Sequence, residues 1–249
     1  MRFPTLSFSD GTIEIGRFGK APVVLHPTFF LAAFVLTFHF WHLPGGIGPL
    51  LVICGAGVLL GSILLHELAH AKVGRHYGVT ARRIDINLFG GVVHFATSPR
   101  LMRHDFAITI AGPLSNAALA LLALLVLAVV RYISPEQFSF NPADVLVPPT
   151  SIVHIARFAC FLNAALAIAN MLPAFPLDGG RLLYMLVAKR YGAHTATFVV
   201  AALGTVFGAI AKFVLLVSTM AGVPIWSPPP FMINWDALQQ ARGGRAIRI

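Results

Sequence analysis

Residues 50–70 read LLVICGAGVLLGSILLHELAH, sixteen uncharged residues followed by His66-Glu67-Leu68-Ala69-His70. At 1.5 Å per residue the stretch from Leu50 to Leu65 rises roughly 24 Å, most of a hydrocarbon core about 30 Å thick. Histidines at i and i+4 share one face of a helix, which is what a zinc ion needs from two ligands. The Glu beside the first can reach a water held by that metal. Ionisable side chains in a membrane-length apolar segment are costly and mark a functional site. With only Glu14, Glu67 and Glu136 as glutamates in the chain, an accidental match is a poor explanation.

The rest of the chain has the same solvent preference. Of 249 residues, 57% are hydrophobic and 11% charged, and the mean hydropathy is +0.80, so too few polar residues exist to coat a soluble globule and lipid must do so. The fold class expected is an all-α polytopic membrane protein with about five to six transmembrane helices and a small interfacial or re-entrant β element. The net charge of +9 comes from Lys and Arg at the ends of apolar segments, a topology signal; no nucleic-acid partner is expected. Cys54 and Cys160 sit in separate apolar runs and imply no disulfide. The first twenty residues lack the apolar core of a cleaved signal peptide.

Residues 1–24 read as an N-terminal interfacial β-hairpin containing Asp10-Gly11, residues 25–221 as the transmembrane domain, and residues 222–249 as an interfacial or mobile tail. Spans are expected at about Pro27 to Leu43, Leu50 to Lys72, His104 to Val130, Thr150 to Asn170 and Ala196 to Ala221. The fourth breaks at Leu172-Pro173-Ala174-Phe175-Pro176-Leu177-Asp178-Gly179-Gly180 and resumes to Lys189. Between spans two and three, Ile84 to Phe95 alternates around Gly90-Gly91, which suits a re-entrant hairpin lying against protein, with an edge that an unwound substrate can join by strand addition.

Lys72, Arg75, Arg82, Arg83, Arg100 and Arg103 lie between spans two and three, and Arg181, Lys189 and Arg190 follow the break, whereas the loop from Tyr132 to Pro149 has Glu136 and Asp144 and no Lys or Arg. The positive-inside rule places the first two groups in the cytoplasm. Span four enters from the other side, so Asp178 arrives at the leaflet holding His66 and His70. Asp178 is then the best third metal ligand, with a helix cap as its alternative role. Glu67 suits a general base. Asn170 suits a donor to an oxyanion, or else a helix C-cap. His94 is a weaker alternative ligand. His26, His39, His42, His76, His104, His154 and His194 lie at span ends, and Lys212 sits inside span five with no evident partner.

His66 to His70 together with Asn170 to Arg181 resembles the site-2 protease family of intramembrane zinc metalloproteases. Leu25-His26-Pro27, Phe89-Gly90-Gly91-Val92 and Ala111-Gly112-Pro113-Leu114-Ser115-Asn116 match further family signatures in order, so the resemblance covers about residues 10 to 220. It implies one zinc per chain on His66, His70 and Asp178, Glu67 as base, and Asn170 contacting substrate or oxyanion. It also implies cleavage, within the bilayer, of single-span or signal-anchored membrane proteins. The form expected is a compact one, without the PDZ or nucleotide-sensing domains of other members. A metal transporter or an inactive substrate-binding adaptor is the alternative. A transporter expects polar groups along an exit route, and spans two and four are apolar beyond the site; an adaptor lacks the base or a ligand, and here all are present. The oligomeric state is left open.

Overall fold

The computed structural model describes residues 11–37, 41, 48–133, 152–220 and 231–243. Its elements in chain order are β1 (Ile13–Phe18), β2 (Ala21–Leu25), α1 (Thr28–Thr37), α2 (Gly48–His76), β3 (Ala81–Asn87), β4 (Gly90–Phe95), α3 (Met102–Ile133), α4 (Ile152–Asn170), α5 (Asp178–Met220) and α6 (Phe231–Arg242). Three described helices, Val52–His76, Met102–Ile133 and Asp178–Phe213, are long and apolar enough to cross a membrane; Thr28–Thr37 and Ile155–Asn170 are shorter apolar helices. The expected end of the first span near Leu43, the loop at 134–149, and the tail at 222–230 and 244–249 lie outside the described residues.

The chain divides into two units, residues 1–98 with 114–167 and residues 99–113 with 168–249. In the first, the two β elements expected from sequence form one four-stranded sheet in the order β1-β2-β3-β4. Their union has a physical reason: an open strand edge is not tolerated in an apolar medium, and β2 satisfies its outer edge by pairing in parallel with β3, Val23 opposite Ile84 and Leu25 opposite Ile86. The parallel pairing needs a long crossover, and α1 and α2 supply it. The described hairpin of β1 and β2 turns at Gly19-Lys20; residues 1–10, with Asp10, lie outside the described residues. Gly19 takes the positive φ of 63° that a tight turn requires.

One face of the sheet packs on α2. Leu59, Ile63 and Ala71 meet Val23, Leu25, Ile84, Ile86 and α1 residues Phe29 and Ala33 in a buried apolar cluster. A smaller cluster joins Leu127 of α3 to Val153 and Ala156 of α4.

In the second unit α5 begins at Asp178, directly after the broken segment, and its regular path is interrupted at Gly192 (φ 82°), near the expected boundary between Lys189 and Ala196. The tail segment expected to be interfacial or mobile contains α6, a twelve-residue helix packed on α5. Phe175, Val200, Ala201, Ala237 and Leu238 form the core between them. Gly204 and Gly208, one turn apart, permit the approach. A Cβ on Gly204 would lie 2.0 Å from Asn234 Oδ1, and one on Gly208 2.7 Å from the Phe231 Cα.

Candidate metal centre

On α2 the residues Val58, Ser62, His66 and His70 follow one another at intervals of four and share one helix face. His66, Glu67 and His70 are 6%, 5% and 7% exposed, deeply buried for titratable groups. The two imidazoles stand nearly perpendicular, with ring centroids 4.7 Å apart, and their Nε2 atoms are separated by 3.1 Å. Two nitrogens bound tetrahedrally at about 2.0–2.1 Å from zinc lie about 3.3 Å from each other, so the pair converges on a point as metal ligands do. His66 turns its other nitrogen, Nδ1, to Asn116 Oδ1 of α3, within hydrogen-bonding distance. Nε2 is the nitrogen that faces His70. The donor set and its geometry fit zinc.

Glu67, one position on, faces the strand β4. A Cβ on Gly91 would lie 2.3 Å from Glu67 Cγ and 2.6 Å from its Oε1, so only glycine lets this strand run against the carboxylate. Gly91 pairs with Ile86 in the sheet. The sheet therefore sets how closely β4 approaches Glu67.

His94, the alternative ligand, is engaged elsewhere. Its Nε2 lies 2.9 Å from Asp85 Oδ2, while Arg83 Nε donates to Asp85 Oδ1 at 2.5 Å and His26 Nε2 stands 3.4 Å from that same oxygen. Burial, the largest single influence on Asp85, pushes its pKa up. The Arg83 guanidinium, His26 and His94 outweigh it and hold the carboxyl below the usual carboxylate range. This is a structural ion cluster on the sheet.

In the second unit, Asp178 occupies the first turn of α5 and is half-buried, and Asn170 is the last residue of α4, also half-buried. The segment between them is held by its own backbone: Ala174 N–H donates to Leu172 O at 2.8 Å and Leu177 N–H to Ala174 O at 2.9 Å. Gly179 and Gly180 start the helix because a Cβ at either would meet a carbonyl of that segment, Met171 O at 2.2 Å or Ala174 O at 2.4 Å. Two anchors escape a reading of the sequence. Arg181 Nη2 donates to Asp105 Oδ1 of α3 at 2.7 Å, whereas charge alone makes it a topology signal. Asn234 of α6 accepts the Phe175 N–H at 3.0 Å and donates to the Phe175 carbonyl at 2.6 Å, pairing with both polar groups of one residue in the segment. Lys212 also finds a partner: its Nζ lies 4.4 Å from the centre of the Phe231 ring.

Apolar helices around a buried histidine pair and glutamate define an integral membrane protein with a metallopeptidase-like centre. Residues 54–214 match Peptidase family M50, and the chain belongs to that family. It is 28% identical over 242 residues to sll0528 of Synechocystis sp., a protein named as a zinc metalloprotease, covering 94% of this chain and 60% of that one. It is 32% identical over 191 residues to Rip3 of Mycobacterium tuberculosis, likewise named as a zinc metalloprotease, covering 72% of this chain and 44% of that one. The chain thus spans 60% or less of the length of these curated relatives. Among solved structures it is similar to the site-2 protease from Methanocaldococcus jannaschii, with a TM-score of 0.59 and 25% identity, covering 96% of this chain and 97% of that one.

Proposed function

We propose that this protein is a zinc endopeptidase that hydrolyses peptide bonds within the membrane, with one zinc per chain. The observation that carries the reading is the convergence of the His66 and His70 Nε2 atoms beside the buried Glu67. Asp178 is the third ligand in this reading. Two imidazoles and a carboxylate are a group that could hold a metal ion, and such sets keep a position free for water in catalytic zinc sites. Zinc, when bound, supplies Lewis acidity toward a water and a peptide carbonyl.

The protein's own groups do the rest. Glu67 takes the proton from the attacking water and returns it to the leaving amine nitrogen. Asn170 donates its side-chain N–H to the carbonyl oxygen as negative charge develops there. A substrate helix must unwind to expose an amide, and strand β4, running along Glu67, offers backbone groups for an extended segment to pair with. The substrates are single-span or signal-anchored membrane proteins, cut near the cytoplasmic face, a side supported by the basic residues that follow α2 and Asp178. Five to six spans carry the domain of residues 25–221, with the hairpin of residues 1–24 and the tail of residues 222–249 at its edges.

The test is cleavage of a membrane-anchored reporter by purified protein. Glu67→Gln is expected to keep zinc and lose about 10³-fold in rate, within the range for losing general acid–base assistance, and Asp178→Asn to lose zinc. Retained proteolysis in Glu67→Gln removes Glu67 from the mechanism.

A further inference from the structure

The stretch Ala111-Gly112-Pro113-Leu114-Ser115-Asn116 has no part in the chemistry above, yet its last residue is fully buried and touches His66. We propose that Asn116 is a positioning residue that fixes His66 in the Nδ1–H tautomer, and that Asn163 and Ser62 fix which way Asn116 faces; the proposal rests on the zinc reading of His66.

Backbone carbonyls, which only accept, set the direction of every bond in this chain of side chains. Ser62 Oγ–H donates to Val58 O at 2.8 Å, so toward Asn163 the hydroxyl offers only lone pairs. Asn163 Nδ2 donates to Ser62 Oγ at 3.0 Å and to Ala159 O at 2.8 Å, and the second contact leaves no choice about which end of the amide is nitrogen. The Asn163 Oδ1 must then accept, and Asn116 Nδ2 donates to it at 2.8 Å and more loosely to Ser62 O at 3.4 Å. Asn116 is left presenting Oδ1 to the ring. An oxygen that only accepts requires a proton on the facing nitrogen, so neutral His66 carries its hydrogen on Nδ1 and its lone pair on Nε2, 3.1 Å from the Nε2 of His70.

Burial argues that this network has a purpose. Asn116, Asn163 and Ser62 are 0%, 3% and 4% exposed on helices that are otherwise apolar, where apolar side chains would pack without needing partners. Ser62 and His66 stand one turn apart on α2, and Asn163 follows Ala159 by one turn on α4. The three helices thus supply one polar thread that ends on a metal ligand, and such outer partners raise ligand basicity and hold ring orientation.

Nitrogen-15 NMR of the full chain, labelled at histidine and loaded with zinc, decides the tautomer. We expect His66 to coordinate through Nε2 with a proton on Nδ1. Coordination through Nδ1 overturns the positioning role while leaving the zinc reading intact; absence of zinc binding by the unaltered chain overturns both. Asn116→Leu is expected to weaken zinc binding about 10–100-fold in competition with a chelator. Asn116→Asp, which still accepts from Nδ1–H, is expected to restore at least tenfold of that loss. Equal affinity in Asn116→Leu and the unaltered chain, or failure of Asn116→Asp to do better than Asn116→Leu, overturns the proposal. Should Asn116→Leu not fold, the NMR of the unaltered chain still settles it.

Discussion

The region around His66 and the region around Asp178 hold their polar groups by opposite means. On α2 the helix period itself presents Ser62, His66 and His70 in a row, and side chains from α3 and α4 meet the first two. Around Asp178 the chain leaves the helix for seven residues, and position is set by backbone hydrogen bonds, two glycines that admit neighbouring carbonyls, and one side chain of α6 that mimics a peptide. A regular helix is placed by many small contacts and tolerates the loss of any one. An irregular segment depends on a few bonds, each hard to replace.

Three substitutions probe that contrast. Gly91→Ala intrudes on Glu67 without touching a hydrogen bond of α2. It is expected to lower cleavage about 10²-fold, as a misplacement of about 1 Å does, with zinc content and melting temperature nearly unchanged. A matching collapse of the melting temperature would show that the first region is as fragile as the second. Asn234→Leu leaves the N–H and C=O of Phe175 without their partner and is expected to cost about 3 kcal/mol, seen as earlier thermal unfolding and faster proteolysis at Met171 to Leu177. Unaltered proteolysis there would mean the segment holds itself.

Asp85→Asn has the smallest effect expected, about 0.5–1 kcal/mol at neutral pH, because Arg83 and His94 remain partly solvated. The sign follows from the depressed folded pKa of Asp85. Its contribution is complete above the unfolded value near 4 and is lost as pH falls through the lower folded value. The gap between Asp85→Asn and the unaltered protein should therefore close in acid; a gap that persists there would assign the effect to packing.

The same contrast explains what the sequence makes legible. His66, Glu67 and His70 can be placed because a helix has a fixed period and an apolar run announces it. The boundary near Gly192 and the break at Pro173 and Pro176 are visible because proline and glycine act locally. Asn234 is hidden, since its partner lies 59 residues earlier and nothing about a short polar helix near the end of the chain points to Phe175. The single sheet is hidden for the same reason, with Val23 and Ile84 meeting across two helices. Asn163 and Ser62 were within reach: an amide and a hydroxyl inside apolar helices carry the same signal as the histidines. His94 stands out in the sequence by its place in the re-entrant hairpin, and in the fold its ring faces Asp85.

The parallel pairing of β2 with β3 also constrains the order of assembly. Strand β2 leaves the ribosome before either helix of the crossover, but its outer edge stays unfilled until residues 84–86 have been made. Gly91 lies further along still, so the strand that runs against Glu67 can join the sheet only once the whole second helix has been synthesised.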